Sequence, residues 1–329
     1  MTVIERKQTR RNGLVTCTNT LLFALILSSV RFISFTWVQK TKKQEGGLLE
    51  TIATSTTVTR SATQEEDPAT PSPPLHNPDM HARTQYFREV AQQFTPTTDK
   101  IGVTSEHSYH NMYSIFLLPY AAAHPQFKFL EIGLGCNMDY GPGASVAVWK
   151  HLFPQAELWE AEYVEDCVDK AQERGQLDGI HTLVGDQADI PTLQRWIQTS
   201  GGNFDVIVDD GGHHNCMINN SFDTLWPQLK PGGIYFIEDL HVGRSANYIS
   251  KDCGNVIFSE RIQEFVDRLA YKTNNVWGTK YKYNMPDDVL FVFCQAEACV
   301  IGKRKGDMND PVRPRPRGRQ AKVQQKNNV

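Results

Sequence analysis

Between residues 127 and 301, short apolar runs alternate with stretches whose apolar side chains recur every three to four positions. Residues 127–132, 156–161, 182–184, 204–209 and 233–238 read as buried strands, being nearly continuous in apolar residues and too short for helices. Residues 144–152, 164–174, 191–199 and 216–229 read as the helices between them. Such alternation predicts a parallel sheet covered by helices on both faces. After one more helical stretch, 257–270, the order changes, and 289–294 and 298–301 are two strands separated by a tight turn. The expected fold class is therefore α/β: a doubly wound, mostly parallel, seven-stranded sheet that ends in a C-terminal antiparallel hairpin.

The flanks do not share this pattern. Residues 1–40 carry Arg6, Lys7, Arg10 and Arg11 ahead of the apolar run LLFALILSSV at 21–30, then Arg31 and a second apolar stretch, 32–38. This is a targeting segment. The ten-residue run has the length of a signal peptide, but no small-x-small cleavage site follows it. Read as residues 12–38, the segment is long enough to span a bilayer as a signal-anchor, with Arg31 as the costly intrusion. Residues 51–75 hold seven Thr, three Ser and four Pro with hardly a bulky apolar side chain, so residues 41–85 are expected to be a disordered stem. The globular domain is expected at 86–302. Residues 303–329 hold nine Lys/Arg against two Asp, a basic disordered tail beside an acidic body in a chain of net charge −3. The tail reads as solvated chain, with no nucleic-acid partner expected.

Seven scattered cysteines without a CxxC pair argue against a disulfide scaffold or a zinc site. Cys294 and Cys299 flank the hairpin turn and are candidates for a disulfide, with two buried thiols as the alternative.

Candidate chemistry gathers at the ends of the strands. In FLEIGLGCN, residues 129–137, the first strand runs into Gly133 and Gly135, where a backbone free of side chains can turn tightly beside a nucleoside. A dinucleotide dehydrogenase would place a third glycine where this chain has Met138. The next strand ends in LWEAEY, offering Glu160 and Glu162 for the hydroxyls of a ribose; the strand alignment favours Glu162.

The strand at 204–208 runs into Asp209, Asp210, Gly211, Gly212, His213 and His214, and the following strand runs into Glu238, Asp239 and His241. Neighbouring parallel strands would bring these ends to about 5 Å of each other. Converging carboxylates repel unless a cation neutralises them, and a set of carboxylate oxygens suits Mg²⁺. Either acid can instead cap the helix that follows it. Two glycines allow His213 to be presented to the same spot as a general base, with His214 as the fallback.

These residues resemble the class I S-adenosylmethionine-dependent methyltransferases, and within them the metal-dependent sugar O-methyltransferases of macrolide biosynthesis of the mycinamicin type. The resemblance covers residues 96–302 and rests on TDK at 98–100, HSYHNMY at 107–113, FLEIGLG, VGDQAD at 184–189, VIVDDGGHH and LKPGGIYFIEDLH. It extends to eukaryotic proteins of unassigned substrate that share LEIGLGC, GPGAS and LWEAEY. The fold it implies is the Rossmann-like methyltransferase sheet. By the same resemblance, Asp210, Glu238 and Asp239 bind Mg²⁺ and His213 is the base. It also implies that Glu131, Gly133, Gly135, Glu162, Asp186, Gln187 and Asp209 contact S-adenosylmethionine. Where that family commonly has Ser, this chain has Gly212, a change expected to leave the turn intact.

The implied function is a Mg²⁺-dependent O-methyltransferase acting on a hydroxyl of a small molecule or glycan, with a sugar or polyol favoured. A catechol-like metabolite, or a binding protein that keeps the fold without turnover, are the alternatives. The N-terminal segment implies contact with a membrane, and a place in the secretory pathway, in Golgi or endoplasmic reticulum. The sequon Asn219–Ser221 falls on a helix that packs on the sheet and is expected to stay unmodified.

Overall fold

The computed structural model describes residues 74–102, 107–249, 256–271 and 280–306. The expected targeting segment 1–40, the expected stem as far as residue 73 and the expected tail from residue 307 lie outside the described residues. No helix among the described residues is long and apolar enough to cross a membrane.

The sheet contains β1 (Lys128–Ile132), β2 (Glu157–Glu162), β3 (His181–Val184), β4 (Phe204–Asp209), β5 (Leu229–Ile237), β6 (Val289–Cys294) and β7 (Cys299–Lys303). Their order is β3-β2-β1-β4-β5-β7-β6. The first five are parallel; β7 runs antiparallel to both β5 and β6. This is the seven-stranded α/β sheet read from the pattern. Strand β4 is buried at all six positions, as a central parallel strand covered on both faces must be.

Alternate residues of each strand supply two cores. Leu130, Ile132, Ile207, Tyr235 and Ile237 pack with α5 (Ile190–Ser200), α6 (Asn215–Leu225) and α7 (Phe258–Tyr271). Phe129, Val206, Val208 and Phe236 face the other way, towards α1 (Met80–Ala91), α2 (His110–Ala123) and α3 (Ala144–Leu152). Helix α4 (Glu165–Glu173) buries Val168 and Ala171 in a smaller cluster with Leu134 and Val146.

Three boundaries differ from the sequence reading. Among the described residues, secondary structure is already present at Pro74–His76 and Met80–Ala91, ahead of the expected start near residue 86, so part of the expected stem is structured. In α1 the Asp79 side chain accepts from the His81 amide at 3.0 Å, and Arg83 reaches the Ser114 carbonyl at 2.8 Å. Only Phe87, Val90 and Ala91 of α1 are buried, too few apolar side chains to stand out beside a Thr/Ser/Pro-rich flank.

Next, α6 stops at Leu225. Pro227 disfavours helix at the residue before it, and a single 3-10 turn, Trp226–Gln228, leads into a β5 that starts four residues earlier than expected, with a register irregularity opposite Phe204–Val206. At the other end, Lys303 is part of β7. Its buried ammonium donates to the carbonyls of Trp226 and Leu229, both at 2.8 Å, so this first basic residue of the expected tail belongs to the domain.

Cys294 and Cys299 are disulfide-bonded, as the hairpin suggested. A second bridge, Cys136–Cys167, was not expected from the scattered spacing of the cysteines. These residues are 31 positions apart in sequence, and they meet because β1 and β2 are parallel neighbours whose following segments lie side by side. Cys216 is disulfide-bonded as well.

Candidate active site

The sheet's strand order reverses between β2-β1 and β4-β5, and a crevice opens beyond the carboxyl ends of these strands, where doubly wound sheets take their ligands. Here it is a cavity of about 540 Å³.

One end of the cavity is backbone. Gly133 has φ +112°, and a Cβ there would lie 2.1 Å from the Asp210 carbonyl oxygen, so only glycine fits between β1 and the end of β4. Gly135 follows at φ +82°. Beside them Glu162 lines the cavity, its carboxylate steadied by the amides of Tyr163 (2.7 Å), Val164 (3.1 Å) and Leu134 (3.2 Å). Asp186 also lines it and accepts from the Ala188 amide at 2.7 Å. Gly133, Gly135, Glu162 and Asp186 thus stand where a nucleoside would lie.

Several expected contacts sit behind the wall instead. Glu131 is fully buried and accepts from Ser145 Oγ (2.7 Å) and Trp149 Nε1 (2.8 Å), so it braces α3 and does not reach the cavity. Glu160 pairs with Glu131 in the β1–β2 register and is also buried. Burial, and then the neighbouring Glu131, push its carboxyl well above the ordinary range. Glu160 thus faces Glu131 behind the wall, which leaves Glu162 as the ribose candidate.

Asp209 is buried too, bonded by Gln187 Nε2 at 2.9 Å, by the Ser221 hydroxyl and by Tyr235 at 3.3 Å. Gln187 lines the cavity, but its other end accepts from the Gly212 amide at 2.9 Å. This pair fixes the DDGGHH turn from below, so neither residue offers a free polar group to a cofactor. A Cβ on Gly211 would fall 1.9 Å from Gln187 Oε1, and one on Gly212 would fall 2.2 Å from Met217 Sδ. A serine at Gly212 needs only the flexible Met217 side chain to move, which leaves the turn itself unaffected.

At the far end of the cavity Asp210, His213 and Asp239 converge, with one donor atom of each within 4.8 Å of the others. His213 and Asp239 both have left-handed backbones, φ 55° and 53°, conformations rare outside glycine that persist where surroundings enforce them. The two glycines before His213 and the strand end before Asp239 aim both side chains into the cleft. His214 does not line the cavity, and its ring lies tilted against Tyr248 with centroids 4.9 Å apart.

Glu238, the other acid expected among the ligands, lies just behind this set. It is buried; one oxygen takes the Tyr113 hydroxyl and the other takes Lys100 Nζ at 2.7 Å. Burial, then Asp210, push its carboxyl well above the ordinary range.

Sequence reasoning missed three groups here. Lys100, the lysine of the TDK motif, sits in a 3-10 turn capped by Thr98 and is buried against Asp210, Glu238 and Glu131. The Tyr109 hydroxyl donates to Asp239 Oδ1 at 2.9 Å. Glu297, in the β6–β7 turn, bonds His107 Nδ1 at 2.7 Å and lies 3.8 Å from His241. The two motifs TDK and HSYHNMY were the only signal for the first two, and Glu297 had none.

Asp210 and Asp239 offer carboxylate oxygens, and His213 a nitrogen, at the open face of the cavity. Two acids with room for further oxygen ligands fit a hard divalent cation.

No protein-family profile matches the chain. The mycinamicin VI 2''-O-methyltransferase of Micromonospora griseorubida is 36% identical over 118 residues, covering 35% of this chain and 27% of its own length. The demethylmacrocin O-methyltransferase of Streptomyces fradiae is 38% identical over 117 residues, 35% of this chain and 28% of its own. A rhamnosyl tetracenomycin-C 2'-O-methyltransferase of Streptomyces olivaceus is 33% identical over 144 residues, 44% and 35%. The chain thus spans 27 to 35% of the length of these curated relatives.

Among solved structures, the MycE methyltransferase of the mycinamycin biosynthetic pathway, in complex with Mg and SAH, superposes with TM-score 0.52 at 23% identity over 68% of this chain and 54% of its own. The same enzyme with Mg, SAH and mycinamycin VI gives 0.50 at 21% identity, over 71% and 55%. The fold is the Rossmann-like methyltransferase fold.

Proposed function

We propose that this chain is an S-adenosylmethionine-dependent O-methyltransferase that uses Mg²⁺ and methylates a hydroxyl of a sugar or polyol. The observation that carries the reading is the convergence of Asp210, His213 and Asp239 at one end of a cavity whose other end is Gly133, Gly135 and Glu162. Relatives named for methylating mycinamicin VI and a rhamnosyl tetracenomycin-C support a sugar hydroxyl as acceptor. The neighbour solved with Mg and SAH supports both cofactors.

When bound, S-adenosylmethionine supplies the methyl group and Mg²⁺ makes a nearby hydroxyl more acidic. The chain's own residues do the rest. Glu162 accepts the ribose hydroxyls and, with the glycine backbone, fixes the cofactor's orientation. Asp210 and Asp239 hold the cation. His213 takes the proton of the acceptor hydroxyl at Nε2, and Asp239, 3.6 Å away, stabilises the imidazolium that forms. Fixing donor and acceptor in one cleft supplies the proximity that direct transfer requires.

The setting we propose is the secretory pathway, with residues 12–38 as a membrane anchor. The disulfide-bonded cysteines support it, because such bonds persist in oxidising compartments. Asn219 is 7% exposed and bonds the Asn215 carbonyl at 2.7 Å, in keeping with an unused sequon.

A screen of glycans and diols with a radiolabelled methyl donor tests the activity. Transfer to sugar hydroxyls, abolished by EDTA and by Asp210→Asn while calorimetry still shows cofactor binding, is the expected result. Transfer that survives both treatments overturns the role of the metal. Binding without transfer to any acceptor overturns the enzyme.

A further inference from the structure

A second pocket, about 480 Å³, lies beside the active cavity and shares His107 with it. One wall is His81, Thr84, Gln85 and Arg88, which the helical period places on one face of α1; the start of α2 forms another. Its described lining residues include no Asp or Glu, but Arg88 and three histidines. Several polar side chains here are already engaged: Thr84 Oγ1 donates to the Met80 carbonyl, Gln85 Nε2 to Glu89 and Asn111 Nδ2 to the Ser108 carbonyl. Two groups remain. The half-buried Arg88 guanidinium makes no hydrogen bond or ion pair with any described residue. His110 is 5% exposed and its Nδ1 donates to the Lys100 carbonyl at 3.2 Å, so Nε2 is the ring atom left for the pocket. The first residues of α2, which line the pocket, have no side-chain cap, and a helix start favours negative charge.

We propose that this pocket is a subsite for an oxyanion, the carboxylate or sulfate of an acidic saccharide, held by Arg88 and His110. An arginine fork matches either group with two parallel hydrogen bonds. His110 adds a contact that is coupled to a proton. Because Nδ1 already carries the hydrogen given to the Lys100 carbonyl, Nε2 donates only when the ring is charged. Burial, then the Arg88 charge, outweigh the Lys100 bond and hold that ring below the ordinary histidine range. An arriving anion offsets the Arg88 charge, and the ring takes up a proton. The other titratable groups lining the pocket are His81 and His107, and the turn that His110 bonds carries Asp99 and Lys100. Since His107 is common to both cavities, a saccharide methylated beside His213 reaches this pocket past His107.

The test uses three glycosides that differ at one carbon: methyl β-glucuronide, methyl β-glucoside 6-sulfate and neutral methyl β-glucoside. Each is titrated by NMR against the full chain in EDTA, so that no metal holds the anion. At about pH 5.5, at least one charged glycoside should bind roughly tenfold more tightly than the neutral one, and which of them does so identifies the group as carboxylate or sulfate. Arg88→Gln should abolish that preference while melting with wild type, because the guanidinium has no partner to lose. Raising the pH to about 7.5 should weaken the charged glycoside roughly tenfold as the His110 proton is lost. In His110→Asn, whose amide can still donate to the Lys100 carbonyl, this pH dependence should vanish. A merely structural histidine would leave it in place.

Equal binding of charged and neutral glycosides, a preference that survives Arg88→Gln, or a pH dependence that survives His110→Asn overturns the proposal. So does an Arg88→Gln chain that fails to fold, since the arginine would then be structural. Should His110→Asn not fold, calorimetry of wild type in buffers of differing ionisation heat reads proton uptake directly, and none overturns the proposal. The subsite rests on the sugar-methylating reading only in treating its ligand as the acceptor. Charge-selective binding without transfer to any saccharide removes that reading and leaves the subsite; transfer to neutral sugars without charge-selective binding does the reverse.

Discussion

Asp239 is held from two sides: His213 Nε2 stands 3.6 Å from its Oδ2, and the Tyr109 hydroxyl donates to its Oδ1 at 2.9 Å. The acid cannot swing away from the imidazole without breaking the tyrosine bond. His213→Ala should therefore lower kcat for methyl transfer by roughly 10²- to 10⁴-fold, the usual worth of a general base, with cofactor affinity unchanged. Tyr109→Phe should lower kcat by a smaller factor, about tenfold, since it loosens Asp239 without removing it. Steady-state rates beside calorimetric cofactor binding check both.

Glu162 and Glu160 differ by two positions and lie on opposite sides of the cavity wall. Glu162→Ala should weaken S-adenosylmethionine binding by roughly 10- to 100-fold, the range for a hydrogen bond to a charged group. Isothermal titration measures it directly. Equal weakening by Glu160→Gln would mean that the wall has been misassigned.

Glu160 also makes stability depend on pH. Burial and the adjacent Glu131 raise its carboxyl above the ordinary 4.5, so the folded state keeps a proton that the unfolded chain releases. Its contribution is complete below about pH 4.5 and is lost as pH rises through the elevated folded value. Glu160→Gln keeps a hydrogen-bond donor without the titration. The expected result is a flatter decline in stability above pH 4.5, read from urea midpoints across a pH series.

The Cys136–Cys167 bridge ties the segment after Gly135 to α4, whose N-terminal end lies just beyond Glu162. Cys136→Ser/Cys167→Ser should lower stability by about 2–4 kcal/mol and weaken cofactor binding, while Cys294→Ser/Cys299→Ser leaves cofactor binding alone. Calorimetry on the two double variants separates the effects.

The parallel strands were legible because a strand buried on both faces leaves an unbroken apolar run, as in β4. Gly133 was legible for a related reason, since it stands where a strand must end against another chain segment. Lys100, Tyr109 and Glu297 were not. Each is 110 or more residues from at least one of its partners, and nothing in local spacing reports a contact that the sheet order creates. Glu238 was placed at the right strand end, but the lysine beside it could not be foreseen. Helix α1 was lost in a polar flank, since three buried side chains leave little trace in twelve residues.

The sheet order has a consequence for how the chain is made. Strand β7, the last element among the described residues, is inserted between β5 and β6, and its Lys303 ties back to the carbonyls of Trp226 and Leu229. While the chain emerges from a ribosome, β5 presents an open edge, and Glu297 is missing from beside His107 and His241. The cleft is therefore finished only when nearly all of the described domain has been synthesised, and a product released before residue 297 would hold the Asp210 and Asp239 segments beside an unpaired β5 edge.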